Sequence, residues 1–231
     1  MSGRDFSELT IILPTLNEEK NVGKLVSEIK RRYSGCRILL VDDGSTDRTL
    51  EIAEEKGART INRATRQTKG ITASVIEGIR KTNTEYFIVM DSDLQHPVGK
   101  VGELFEKMVE GNGLVVGYRT SVPGWAFNRK ILSKGAEMLG KARLVIGGHP
   151  MPRDILSGFF GGKTKTMKEW IAKNPGRFVG EGYKVLFDII KGLDRKNVQI
   201  AEVGYVFGKR KGGSSKIGIK HIFYFLNSVF T

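Results

Sequence analysis

A single α/β domain with a mainly parallel central sheet is the fold that this sequence of 231 residues predicts. Short apolar runs alternate with segments of helical period through the first hundred residues. Several of those runs are unbroken rather than alternating, as in strands buried on both faces. The composition, 39% hydrophobic and 27% charged, is that of an ordinary globular chain, long enough for one large core.

Leu9-Thr10-Ile11-Ile12-Leu13 is the first strand, expected to be halted by Pro14. Asn17–Asn21 supplies cap-type residues, and Val22, Leu25, Val26 and Ile29 then fall at helical spacing. Ile38–Val41 is a second buried strand, ending at Asp42-Asp43. Thr49–Lys56 reads as a short helix with Gly57 at its C-terminal glycine position. Ala58–Ile61 is a weak third strand, and Gly70–Lys81 resumes the helical period through Ile71, Val75, Ile76 and Ile79. Tyr86–Met90 is a strand, Val98–Glu110 a helix and Leu114–Tyr118 another strand. Beyond it the spacing predicts helices at Ala126–Leu139, Lys165–Ile171 and Tyr183–Lys191, a loop over 140–157 and a strand at Val198–Phe207. Strands separated by helices in this manner favour a parallel sheet.

The single Cys36 excludes a disulfide framework, and no Cys/His cluster has zinc spacing, which fits a reducing compartment. The stretch Met1–Glu8 carries acids and does not read as a signal peptide. No window approaches the ~18 consecutive apolar residues of a membrane span. Charge is unevenly placed. Residues 1–100 carry 16 basic and 15 acidic side chains and residues 101–231 carry 22 and 10, so nearly all of the net +13 belongs to the second part. Nucleic acid, an anionic membrane surface and a phosphorylated substrate would each suit that part, as would a plain soluble surface.

Asp91-Ser92-Asp93 follows a strand. Residues two apart in an extended chain point the same way, so both carboxylates can face one cation. Hard oxygen ligands suit Mg²⁺ or Mn²⁺, which also stabilise a diphosphate leaving group, and Gln95 can add an amide oxygen. The plainer alternative is a solvated turn; the position after a buried strand, where open α/β sheets bind ligands, favours a site. Asp42-Asp43 and Pro14–Glu18 end two further strands. Glu18, Asp42, Asp43, Asp91 and Asp93 are therefore expected to converge on one edge, where a cation, or the NH groups of a base and the hydroxyls of a ribose, would relieve their repulsion. Ser45–Asp47 reads as a turn plus a helix cap.

The segments Ile12-Leu13-Pro14-Thr15-Leu16-Asn17-Glu18, Val41-Asp42-Asp43-Gly44-Ser45-Thr46-Asp47 and Met90-Asp91-Ser92-Asp93-Leu94-Gln95-His96-Pro97 together resemble family 2 glycosyltransferases. Ser157-Gly158-Phe159-Phe160 and Phe207-Gly208-Lys209-Arg210, leading to Ser215-Lys216, make the chain most similar to the dolichyl-phosphate mannose synthases within it. The resemblance implies a GT-A (Rossmann-like) domain over 1–216, followed by a short amphipathic segment over 217–231. It implies that Pro14, Leu16, Glu18, Asp42, Asp43 and Ser92 lie on the nucleotide sugar, GDP-mannose or UDP-glucose. Asp91, Asp93 and Gln95 match the metal and diphosphate positions, with Asp91, Asp93 and Arg119 as the catalytic set. Arg119, Arg129, Ser133, Arg210 and Lys216 match positions round the phosphate of a polyprenyl (dolichyl) phosphate.

The basic half has a physical reading of its own. Arg129 and Ser133 are four apart and share a helix face. An Arg fork and a Ser hydroxyl suit a phosphate, and Arg210 and Lys216 lie in a Gly- and Ser-rich loop able to close on an anion. A sugar hydroxyl needs a general base, and neither His96, His149, His221 nor Glu181 stands out as one. A phosphate monoester, with a second pKa near ~6, is already a nucleophile and has only to be held in line with the anomeric carbon. Direct displacement then inverts the linkage. The competing readings are a glucosyl donor, a saccharide acceptor, and a nucleic-acid-binding module. The last conflicts with the acidic strand ends, and no nucleic-acid partner is expected. Residues 221–230, seven of ten apolar or aromatic, are too short to span a bilayer. They are expected to lie in the interface at the cytoplasmic face, with Phe223, Leu226 and Phe230 on one side.

Overall fold

In a computed structural model, residues 5–123, 127–176, 178, 184–193, 198–208 and 229 are described, with the side chains of 127–132 left aside. The strands are β1 (Leu9–Thr15), β2 (Arg37–Asp42), β3 (Arg59–Asn62), β4 (Tyr86–Val89), β5 (Leu114–Ser121), β6 (Phe160–Lys163) and β7 (Ile200–Val206). The helices are α1 (Glu19–Arg32), α2 (Thr49–Glu55), α3 (Ile71–Lys81), α4 (Val101–Val109, entered through a 3₁₀ turn at Val98–Lys100), α5 (Phe127–Ile146), α6 (Thr164–Lys173) and α7 (Val185–Ile190). The sheet runs β3-β2-β1-β4-β6-β5-β7. Only β6 is antiparallel to its neighbours. This is the α/β architecture expected, with its mainly parallel sheet.

Period-2 alternation divides the core between two faces. Leu9, Ile11 and Leu13 pack with Val22, Leu25, Val26 and Ile29 of α1 and Leu104, Phe105 and Met108 of α4. Ile12, Val41, Phe87 and Val89 pack on the other face with Val75 and Ile79 of α3, Met167 and Ile171 of α6, and Leu186, Ile189 and Ile190 of α7. Val229 is buried in this second cluster; the rest of the segment 217–231 lies outside the described residues.

Three expectations need correction. Pro14 does not halt β1: it continues in register opposite Val41 of β2. Ile12 accepts from Met90 on the β4 side and Thr15 accepts from Asp43 on the β2 side. The missing N–H of Pro14 therefore faces β4 just past its last paired residue, Val89, so the proline costs that ladder only its terminal bond. Residues 140–146, read as loop, complete α5. β6 was not foreseen as a strand; it sits in mid-sheet because Gly161 lets the backbones close up, a Cβ there running into the carbonyl of Phe87.

This topology sets the edge on which loops meet. β1, β2, β4, β5 and β7 all deliver their C-terminal ends to one side, and antiparallel β6 begins there. The loops after Thr15, Asp42, Val89, Ser121 and Val206, and the loop before Phe160, therefore share that edge, as ligand-binding loops do in open α/β sheets.

Candidate active site

The ends of β1 and β4 are pinned together by hydroxyls. Ser92 Oγ lies 2.8 Å from Thr15 Oγ1 and donates to the carbonyl of Pro14 at 3.2 Å. Ser92, matched to the nucleotide, thus has its hydroxyl engaged between strands. The loops after β1 and β2 are stitched in the same way. Asn17 N donates to Ser45 Oγ at 2.7 Å, Thr46 N to Asn17 Oδ1 at 2.9 Å, and Glu18 N to Thr49 Oγ1 at 2.8 Å. Asn17 adopts φ 49°, a left-handed conformation that asparagine tolerates. The Glu18 carboxylate is buried and accepts from Asn21 Nδ2 at 2.7 Å. Pro14 is buried beneath this loop and Leu16 half-buried within it.

The acidic pair at the end of β2 finds hydrogen-bond and ion-pair partners within the protein. Asp42 is fully buried and accepts from Gly44 N at 2.9 Å, from Ser45 N at 2.7 Å and from the Ser45 hydroxyl. Asp43 binds the Arg63 guanidinium and accepts from Gly70 N at 2.6 Å. Burial nevertheless holds its carboxyl above the usual range, more than Gly70, Arg63 and Lys69 lower it. Arg63, 3% exposed, also reaches Glu77 at 2.9 Å, Ser74 at 3.1 Å and the carbonyl of Thr68 at 2.8 Å. Lys69 Nζ caps the carbonyls of Arg63 and Ala64 at 2.7 and 2.8 Å. The loop 63–68 lines an open cavity of about 380 Å³. Sequence reasoning passed over Arg63, whose carboxylate partners lie in other elements, and Lys69, whose partners are backbone carbonyls that no residue pattern marks.

The turn after β4 holds the paired acids. Asp91 Oδ2 is 3.0 Å from His96 Nε2, and its carboxylate abuts Gly158, where a Cβ would come within 2.9 Å of Oδ1. Asp93 is buried and accepts from Gln95 N at 3.1 Å; Leu94 takes φ 63° to close the turn. The His96 ring is held between Phe159, Tyr205 and Phe207, at 5.2, 5.4 and 5.2 Å between centroids. Its Nδ1 is buried without a hydrogen-bond partner. Gln95 and Gly208 clasp each other: Gln95 Nε2 donates to the Gly208 carbonyl and Gly208 N to the Gln95 carbonyl, each at 2.8 Å.

Arg119, at the end of β5, meets a partner the sequence did not announce. Its Nε and Nη2 donate to the two oxygens of Asp154 at 2.6 and 2.9 Å, a bidentate fork in a largely buried setting. Phe207 lies under the guanidinium at 5.8 Å. Ser133 is half-buried on α5. Arg129 belongs to the same helix, its side chain outside the described set, and Glu181, Arg210 and Lys216 lie outside the described residues. Among the described residues no three His, Cys, Asp or Glu side chains form a ready metal cage. Asp91, Asp93 and the amide oxygen of Gln95 are an all-oxygen set that Mg²⁺ or Mn²⁺ accepts when phosphate oxygens and water complete the coordination.

Residues 10–166 match the model of glycosyl transferase family 2. A dolichol-phosphate mannosyltransferase of Pyrococcus furiosus is 37% identical over 96% of this chain; the chain spans 63% of that relative's length. The Saccharomyces cerevisiae protein of the same name is 28% identical over 96% of the chain and 85% of its own length. Among solved structures, glucosyl-3-phosphoglycerate synthase from Mycobacterium tuberculosis in complex with UDP superposes with a TM-score of 0.71 at 21% identity, covering 99% of this chain and 80% of that one. The same enzyme with Mg²⁺ and UDP gives 0.71 at 22%, with the same coverage. At such identity the likeness speaks for the fold.

Proposed function

We propose that this chain, which belongs to glycosyl transferase family 2, transfers a hexose, in the first place mannose from GDP-mannose, to a polyprenyl (dolichyl) phosphate with inversion at the anomeric carbon. The observation that carries the reading is the clasp between Gln95 and Gly208. It ties the acidic turn after β4 to Gly208, which precedes the basic run Lys209–Lys216 in the sequence, and so supports a donor site and an acceptor site on the same sheet edge. The names of the curated relatives agree with it.

On this reading Asp91, Asp93 and Gln95 would hold Mg²⁺ or Mn²⁺, which when bound screens the negative charge of the leaving diphosphate. Asp42 and Asp43 shape the loops after β2 and β3 against the nucleoside rather than meeting it with open carboxylates. Pro14, Leu16 and Glu18 line the same side. Asp154 already balances the charge of Arg119, so Arg119 orients the acceptor phosphate from a fixed position. Arg129, Ser133, Arg210 and Lys216 supply the remaining donors. The acceptor, ionised at neutral pH, needs no proton removed; what the protein adds is alignment with the anomeric carbon. A lipid acceptor has to be met at a bilayer, and the reading places the chain at its cytoplasmic face.

The test uses the purified chain, radiolabelled GDP-mannose or UDP-glucose, and a short polyprenyl phosphate, with and without Mn²⁺. Labelled lipid from GDP-mannose, dependent on a divalent ion, is expected. Product from UDP-glucose alone would reassign the sugar, and no lipid product from either donor would overturn the proposal.

His96 is expected to act as a positioning residue for Asp91. Replacing it with phenylalanine fills the aromatic cage but removes the hydrogen bond, and supporting bonds of this type are worth about 10–100-fold in metal affinity. The Mn²⁺ concentration for half-maximal activity should rise by about that factor, with kcat at saturating metal much less affected. An unchanged Mn²⁺ requirement in a folded His96→Phe protein would remove the role.

A further inference from the structure

We infer that Tyr205 is a positioning residue for the transfer: its phenol stands between the Asp91–His96 pair and the Arg119–Asp154 pair and braces each against the other. The inference rests on the reading above, in which Asp91 serves the donor's metal and Arg119 the acceptor phosphate. Residues two apart on a strand share a face, so Tyr205 at the end of β7 and Phe207 just past it lie on the same side. Tyr205 meets the His96 ring at 5.4 Å between centroids and the Phe159 ring at 5.5 Å. Phe207 meets the same His96 at 5.2 Å and lies under the Arg119 guanidinium at 5.8 Å. The Tyr205 ring is seated without slack. The residue is 2% exposed, and a Cβ at Gly117 would come within 3.1 Å of its Cε1.

The main chain is held as firmly as the ring. Tyr205 stands opposite Arg119 of β5, and the register slips by one residue directly after this pair, with Ser121 opposite Val206. Thr120, the extra residue, donates from its hydroxyl to the Tyr205 carbonyl at 3.0 Å. Such an irregularity at a strand end re-aims the side chains beside it. The Tyr205 hydroxyl is the exception. It is buried and has no hydrogen-bond partner. Ser157 lies beside it, but its Oγ serves the Phe159 N–H at 3.1 Å and the Phe159 carbonyl at 3.3 Å. Burial pushes the phenol pKa well up; Ser157 and Arg119 draw it down, while Asp154 and Asp91 add to the rise. The group therefore stays a neutral donor with both carboxylates and the guanidinium in electrostatic reach. A buried hydroxyl that makes no bond opposes folding, and phenylalanine would fill the same space without it. Packing accounts for the ring and not for the oxygen. The oxygen is accounted for by what binding does to its neighbours. A metal draws on the Asp91 carboxylate, and a phosphate draws on the Arg119 fork. A donor between them, with no bond of its own to break, takes up the carboxylate oxygen left short, so that neither group has to turn.

The test compares Tyr205→Phe with the wild type, both as the full chain. Circular dichroism gives the melting temperature, electron paramagnetic resonance the Mn²⁺ affinity in the presence of GDP, and calorimetry the affinity for a short, water-soluble polyprenyl phosphate. Tyr205→Phe should melt no lower than the wild type, because the hydroxyl it loses has no partner. It should nevertheless bind Mn²⁺ and the polyprenyl phosphate each about five-fold more weakly, the worth of one ordinary hydrogen bond. In the double variant Tyr205→Phe/His96→Phe the loss of Mn²⁺ affinity should fall short of the product of the two single losses, since both act through Asp91. Wild-type affinity on either side would overturn the inference. So would fully multiplicative losses in the double variant, or a lowered melting temperature in Tyr205→Phe, which marks a merely structural residue. Normal affinities in Tyr205→Phe with mannosyl transfer intact would sink the inference and leave the function standing. Should the wild type neither bind the polyprenyl phosphate nor transfer to it, the function fails, and the Mn²⁺ affinities alone decide on Tyr205.

Discussion

Replacing Asp93 with asparagine is expected to lower turnover by about two to three orders of magnitude while leaving the fold intact. Asp93 is buried in the turn after β4, and its carboxylate accepts the Gln95 N–H at 3.1 Å. An asparagine oxygen can take that same N–H, so the turn and the clasp between Gln95 and Gly208 survive. What disappears is one negative charge from a hard-oxygen set, and loss of a single preorganised electrostatic group commonly costs this much in kcat. The effect should be on kcat and on the metal requirement rather than on melting temperature. Turnover within ten-fold of wild type at equal Mn²⁺, with tight donor binding in the presence of a chelator, would take Asp93 out of the site. Asp91→Asn should lose activity too, and it carries a second consequence. Its carboxylate is fixed between His96 at 3.0 Å and the bare backbone of Gly158, so any residue larger than glycine at 158 is expected to reproduce much of the Asp91 defect.

Particular residues show what the sequence disclosed. β1, β2 and β4 were legible because strands buried on both faces read as continuous apolar runs. Their common edge followed from the acids and turns that close each run. Pro14 misled because its missing N–H falls at the last step of the ladder with β4, while pairing with β2 continues to Thr15. β6 was hidden by Gly161 and Gly162, which lower strand propensity yet are required where the backbones of β4 and β5 close in. The second half of α5 was hidden because its apolar residues face outward and leave only Leu144 as a fully buried one. In the site, the acids were visible by their spacing and their partners were not. Asp154 pairs with Arg119 from 35 positions away, and Arg63 meets Asp43 and Glu77 from different elements. A pairing of that kind is a property of the sheet's strand order, which no local pattern carries.

Removing Arg63 should be the most damaging substitution for stability. Its guanidinium is 3% exposed and bridges Asp43 after β2 and Glu77 on α3, with Ser74 and the Thr68 carbonyl completing its bonds. Arg63→Met keeps the volume of the stem but leaves two largely buried carboxylates short of their main cation, a change that costs about 3–5 kcal/mol. Arg63→Lys, with the charge but without the fork, should cost less. The pH dependence follows from opposite shifts. At Glu77 burial raises the pKa, but the hydrogen bonds from Arg63 and Arg66 outweigh it and leave the carboxyl below the usual range. Its contribution is present above the unfolded pKa and is lost as pH falls through the lower folded value. Asp43 is raised by burial, so its protonation adds stability as pH falls. In the wild type the two slopes oppose each other. Without Arg63 both carboxyls move up, and their ionisation at neutral pH becomes the source of the defect. The deficit of Arg63→Met, read by urea unfolding, should therefore be largest near neutral pH and narrow toward about pH 4, where carboxylates take up protons. The double variant Arg63→Met/Glu77→Gln should recover part of the loss, since it deletes the stranded charge. A deficit under about 1 kcal/mol at neutral pH, or one that widens on acidification, would show that the pairing of Arg63 with Asp43 and Glu77 does not hold this edge of the sheet together.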